Sequence, residues 1–531
     1  MSTSTRSLGN YGQSNLARGL IGFRRFVRRN ALLNELLPFG TFVLGLAAVL
    51  IANYLMAITD SAFLIAGGVI GGFVALWVVL RPQMGLYILA VFTYMNLSDA
   101  LEVSFGIPKI NQPLIGLILV SVLANRIVLQ RKPFIFRGVE ATMVLYGVVS
   151  TISVLFASAN QAAALDRLVD WLKDFAILII MVQLCDEEQS FKTVLWALIV
   201  SAAFIASLSW YHTFTGDTAN DFFGLAKSGV HQIIGDMDDL RVTGPLDDPN
   251  FYAQILLMIF PLAAYRMLTG VSQNGRFVGM ICTVLIVGAA IFTYSRGGFL
   301  ALVVVLGLLV LDRRYNLLKV AVITVMGLAV LLPIMPSGYV DRLLTLGDAL
   351  PANTSAQSEA SFRGRSSEMI IAMQMFTENP ILGVGKRNYQ VLYVEYSSML
   401  GLDPRLEDRQ AHSLYLELAA EMGMLGILSF SGILVALFIS TARARRQFRE
   451  LDRPDLSAWT AALQLGVVSY MITSIFLHND YARYMWMLFA MAASASVLAQ
   501  AMTNRRHEIL REARQTSLNL SANNSTEVRG A

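Results

Sequence analysis

The chain has 531 residues, of which 55% are hydrophobic and only 15% charged, with a formal net charge of +4. Soluble globular proteins carry about 25% charged residues, and the mean hydropathy here is +0.56. Together with long runs almost free of Lys, Arg, Asp and Glu, these values exclude an ordinary soluble domain. They indicate a polytopic membrane protein, because about 20 apolar residues cross the hydrocarbon core as a helix.

In chain order, residues 1–35 form a basic segment with Arg6, Arg18, Arg24, Arg25, Arg28 and Arg29. The apolar stretch that follows is too long for a signal peptide and has no A-x-A-like end, so it reads as a first anchor. Apolar segments centre at about 36–57, 62–80, 84–97, 112–129, 139–157, 168–184 and 191–213. After a polar interval come 248–268, 276–294, 297–312 and 316–335, and after a longer one 411–440, 459–477 and 481–502. That makes 14 candidates, or 12 if the short third segment and the charged 168–184 are discounted. Asp170, Lys173 and Asp174 in the latter point to a hydrated cavity.

With the N-terminus inside, the alternation places most of the 41 Lys and Arg residues on the cytoplasmic side, as the positive-inside rule requires. Both termini are then cytoplasmic, and the last stretch, 503–531, ends in a disordered-looking polar tail. The expected organisation is an N-terminal bundle (36–213), an outer loop (214–247), a central helical core (248–335), a long outer loop (336–410) and C-terminal helices (411–502). Long loops tend to be functional, which puts function outside. Met369, Ile370, Met373 and Phe376 recur at helical spacing, predicting an amphipathic helix over 365–379 that lies on the bundle. Pro380, Gly383 and Gly385 end it in turns. Cys185 and Cys282 suit neither a disulfide nor a metal site.

The outer side collects the residues that could carry chemistry. Arg296 in "TYSRGGFL" is either a snorkelling arginine or a fixed cation for a phosphate, which guanidinium binds bidentately. Arg241 in "RVTGPLDDPNF" precedes a Gly-Pro turn, with Asp248 or Asn250 as the cap of the next helix. Arg363 and Arg365 stand where the amphipathic helix should begin, and a helix N-terminus attracts anions. His412, with a pKa ordinarily near 6.5, opens "AHSLYLELAAEMGMLG"; His478 sits at another outer turn, and Glu417 is either an acceptor for a hydroxyl proton or a helix-face residue. The aspartates of 236–248 lack an EF-hand spacing, and "GVGKR" lacks the first glycine and the Ser or Thr of a phosphate loop. The sequence thus calls for no metal, nucleotide, other cofactor or nucleic acid.

"YSRGGFLALVVV", "GRSSEMIIAMQMFTENPILGVGKRNY" and "AHSLYLELAAEMGMLG", in that order, resemble the O-antigen ligase and O-antigen polymerase superfamily of bacterial envelopes, with "RVTGPLDDPNFYA" as a fourth block. The resemblance spans about 241–426, and the N-terminal third is similar only in being multispan. The chain has Met369 and Ser413 where the family often carries an aromatic residue and an asparagine. The resemblance implies an all-α, multi-pass bundle of the C-type glycosyltransferase architecture in the bacterial inner membrane. It implies metal-independent transfer of a glycan from an undecaprenyl-diphosphate carrier to a glycan, lipid or protein acceptor on the periplasmic face. It assigns Arg296 and Arg365 to the diphosphate, His412 to catalysis or the phosphate, and Arg241 a related role. Arg363, Glu417 and His478 join them as expected substrate contacts. The competing expectation is a transporter or flippase of a polysaccharide precursor, although the chain shows no repeat of the kind such proteins carry.

Overall fold

The computed structural model describes residues 62–129, 133–157, 159–234, 237–269, 272–313, 356–402, 409–478 and 482–527. It is 81% helical, and the strands among the described residues are confined to one hairpin, so the protein is an all-α polytopic membrane protein. Helices dominate because a backbone in hydrocarbon must satisfy its hydrogen bonds within its own segment.

The helices are α1 (Ala62–Leu80), α2 (Pro82–Tyr94), α3 (Leu97–Phe105), α4 (Asn111–Leu123), α5 (Gly138–Leu155), α6 (Gln161–Leu184) and α7 (Glu188–Thr215). The hairpin strands β1 (Lys227–Ile234) and β2 (Met237–Gly244) follow. Then come α8 (Pro249–Thr269), α9 (Gln273–Phe292), α10 (Arg296–Arg313), α11 (Ala356–Glu378), α12 (Asn388–Leu400), α13 (Leu414–Glu450), α14 (Pro454–Thr473) and α15 (Ala482–Glu527). Among the described residues, α5, α7, α8, α9, α13, α14 and α15 are long and apolar enough to span a membrane alone. The expected 84–97 span is instead two helices, α2 and α3, meeting at a 68° bend. The segments 62–80, 112–129, 168–184 and 297–312 are also helical. Those at 36–57 and 316–335 lie outside the described residues.

Chain contacts divide the protein into two units, one of residues 1–85 and 116–134, the other of 86–115 and 135–531. In the first, Ser121 and Asn125 hydrogen-bond the carbonyls of Val78 and Val79 at the end of α1. In the second, α8 is buried along most of its length, packed by α7, α9, α10 and α14. Small residues set the spacing, as membrane helix contacts favour. A Cβ on Gly466 of α14 would fall 2.5 Å from the Met258 carbonyl, and one on Gly147 of α5 would strike the Trp171 ring of α6. At the ends of α7 and α14, Arg453 forks onto Glu188 and Lys192 reaches Asp455 at 2.6 Å.

Several expectations are corrected. The interval 214–247, expected to be an outer loop, holds the β1–β2 hairpin, and the long interval before 411 contains α12 as well as α11. The helix expected over 365–379 starts at Ala356, so Arg365 lies more than two turns inside it. Its packed face is also different. Ile371, Ala372 and Met375 are fully buried with Tyr389, Tyr393 and Ala420, whereas Met369, Ile370 and Met373 are about half exposed. The apolar residues ring most of the helix, and periodicity alone named the wrong side. The polar tail is helical through Glu527, as a continuation of α15.

Candidate functional site

The first turn of α13 is pinned to the end of α14, where the Leu414 N–H meets the carbonyls of Ser474 and Leu477 at 3.0 and 2.8 Å. His412 precedes that turn with φ at 43°, a left-handed backbone that costs a non-glycine residue energy and tends to mark functional positions. Its ring meets His478 edge to face with centroids 5.5 Å apart. His478 is buried and in turn stands perpendicular to Phe251 at 5.0 Å. On its other side, His412 Nε2 lies 3.9 Å from Glu368 Oε2. Glu368 is 1% exposed and is held by Arg409 at 2.9 Å.

The arginines attach to the same end of the bundle. Asp248 caps α8 by accepting the N–H groups of Asn250 and Phe251 at 2.6 and 3.1 Å, the role its sequence context predicted. Arg241, buried on β2, donates Nε to the Thr293 carbonyl at 2.8 Å and Nη2 to Asn250 at 3.3 Å. It thereby ties the hairpin to the N-terminus of α8 and the C-terminus of α9. Three residues beyond Thr293, Arg296 opens α10, after a turn in which Tyr294 has φ 54°. Gly297 lets this turn approach Phe476, which a Cβ would meet at 3.0 Å.

A continuous contact path therefore runs from Arg241 through Asn250, Phe251, His478 and His412 to Glu368, and Arg296 follows three residues after Thr293, the carbonyl partner of Arg241. Arg365 falls one turn before Glu368 on α11, so the helix brings its backbone to this site. The N-terminal anion argument for Arg363 and Arg365 does not hold, because neither is at the helix start. Their side chains lie outside the described residues.

Below His412, α13 is broken. Gly423 has φ 60° and ψ −156°, a combination open essentially to glycine alone, and the segment after Pro380 crosses the break. Val384 and Gly385 donate to the carbonyls of Ala420 and Glu421 at 2.9 and 3.0 Å, and Met424 donates to Pro380 at 2.8 Å. Gly383 and Gly423 permit the crossing, since a Cβ on either would lie within 2.5 Å of the opposing backbone. The "NPILGVGK" and "EMGMLG" segments are two halves of one joint.

This joint sets Lys386 and Glu421 on a cleft lined also by Tyr146, Arg167, Asp170, Trp171, Asp174, Glu417 and Trp486. Asp170 pairs with Lys173 at 3.0 Å and Asp174 with Arg483 at 3.3 Å. The Lys386 ammonium lies 3.4 Å from Ser150 Oγ and over the Tyr146 ring, and burial pushes its pKa down to about 8. Glu417 also lines this cleft. Asp170 and Asp174, expected to mark a hydrated cavity, line this cleft.

Sequence reasoning left Glu368, Arg409, Lys386 and Glu421 unassigned. The signal for Glu368 and Glu421 was a carboxylate surrounded by apolar residues at helical spacing, which needs a partner. Lys386 drew notice only through the phosphate-loop comparison.

Residues 281–431 match the family model described as O-antigen ligase. The matched stretch runs from within α9 into α13 and includes Arg296, Arg365, His412 and the joint at Gly423; Arg241 and His478 flank it. No curated protein matches the chain.

Proposed function

We propose that this chain, which through residues 281–431 falls in the O-antigen ligase and polymerase family, moves a glycan from an undecaprenyl-diphosphate carrier to an acceptor. The transfer takes place at the outer face of the bacterial inner membrane, with both termini cytoplasmic. The observation that carries this reading is the contact path from Arg241 to Glu368, with Arg296 opening α10 three residues after Arg241's partner Thr293. A diphosphate needs several cations, and donors fixed in advance stabilise the charge that develops as a leaving group departs.

In mechanism, Arg296, Arg241 and the Arg363–Arg365 stretch of α11 neutralise the diphosphate as the anomeric C–O bond breaks. His412 faces the acceptor hydroxyl or a phosphate oxygen, with Glu368 orienting its ring. His478 supports that ring from behind. The attack is direct, without a metal or a covalent intermediate, and inverts the anomeric centre. The 36–213 bundle scaffolds the 248–335 core and the 411–502 helices, and the 336–410 interval supplies the acceptor side.

Purified protein in nanodiscs, given a radiolabelled lipid-linked repeat, tests this reading. The expected products are a new glycosidic bond and released undecaprenyl diphosphate, as a ladder for a polymerase or a single addition to a distinct acceptor for a ligase. Movement of the intact carrier across the bilayer of proteoliposomes with no bond formed would support a transporter instead.

A further inference from the structure

The cleft below His412 has room for about 40 Å³, which at roughly 15 Å³ per water centre suits a few water molecules. Its charge pattern is uneven. Asp170 and Asp174 of α6 each have their own cation, Lys173 and Arg483 respectively. Glu417 and Glu421 are one helical turn apart on α13, on neighbouring positions of one face. Arg167 and Lys386 face Glu421 across the cleft, and the backbone N–H of Arg387 donates to its carboxylate. Trp171, 8% exposed, lines the cleft with an indole N–H that has no hydrogen-bond partner among the described residues. Such a donor suits an ordered water.

A buried carboxylate, Glu421, and the half-buried Glu417 lie about two and a half and one and a half turns past His412, and in a small polar space they form a place to hold a proton. We infer that this cleft is the proton-accepting arm of the transfer reaction, taking the acceptor hydroxyl's proton onto Glu417 and Glu421. The inference rests on the transfer reading above. In the step, the acceptor oxygen bonds to the anomeric carbon, and the anomeric C–O bond breaks with its electron pair leaving on the diphosphate. The hydroxyl proton passes to Glu417, then to Glu421, and returns to the outer solvent after product release. Lys386 and Arg167 supply the positive charge that faces Glu421 across the cleft. Tyr146, Tyr389, Tyr470, Asp170, Asp174 and Arg483 are further titratable and charged groups around the pair. Glu417 and Glu421 act on the proton and make no contact with the sugar ring.

The test is the pH dependence of kcat for Glu421→Gln in the reconstituted assay. Glutamine keeps the volume and the oxygen that accepts the Arg387 N–H. The expected result is a kcat reduced about a hundredfold at pH 7, with donor KM within about twofold and the rise of activity from acid pH lost. Lys386→Gln, which removes a cation facing the carboxylate, should move that rise to higher pH. A wild-type rate and profile in Glu421→Gln would overturn the inference. So would an unmoved profile in Lys386→Gln, should Glu421→Gln fail to accumulate. Either result alongside an inactive His412→Ala leaves the transfer reaction standing and removes only the proton arm.

Discussion

Gly423 and Ile381 occupy the same space: a Cβ on Gly423 would lie 2.5 Å from the Ile381 carbonyl group. The break in α13 and the crossing of the 380–385 turn segment are one structure. Gly423→Ala should therefore destabilise the protein by about 3 kcal/mol and abolish transfer. Gly432→Ala, further along α13 where a Cβ meets nothing within 4 Å, should be neutral or stabilising by under about 1 kcal/mol. Melting curves of the detergent-solubilised variants decide this, and equal Tm values for the two would contradict the interlock.

Glu368 is buried and shared between Arg409 and His412. Glu368→Gln leaves the Arg409 cation without its charge partner, at a cost of about 2 kcal/mol. It also removes the anion beside His412. Transfer should fall more than about tenfold while membrane insertion is retained, as read by product formation per mole of inserted protein.

Arg241 makes two directed bonds with its planar fork. Lysine, a single point donor, reproduces one at most. Arg241→Lys should lower stability by about 1–2 kcal/mol and raise the donor KM, because the Thr293–Arg296 turn loses its anchor. An unchanged KM with normal stability would separate Arg241 from the site.

Lys386 gives a pH dependence of stability. Its folded pKa of about 8 lies below its ordinary 10.5, so between these values the unfolded chain binds more protons than the folded one. Stability from this residue is lowest below pH 8, rises as pH increases through 8 to 10.5, and is constant above. Lys386→Met should remove this rise, which Tm measured from pH 7 to 10.5 will show. A rise that persists in the variant assigns it to other groups.

The helices were legible because hydrocarbon length and apolarity leave few alternatives, and the Asp248 cap was legible because its bonds are local. His412, Arg296 and Arg241 could be singled out as costly charges at span ends. Their meeting through Phe251 and His478 could not, since those contacts link residues far apart in the chain. The helix bearing Arg365 was mistaken in its start and its face for a physical reason. Apolar residues surround α11 on most sides, and only Glu368, through Arg409 and His412, reveals which side is inward. The break at Gly423 was hidden because a glycine in an apolar helix signals a close approach without naming the partner.

The central claim is that the residues gathered around His412 hold a lipid diphosphate. Native mass spectrometry of the purified protein with undecaprenyl diphosphate, comparing wild type with Arg296→Ala, tests it most directly. The account predicts one retained carrier on the wild type and a loss of at least about tenfold in occupancy for the variant. Equal retention by both would contradict it.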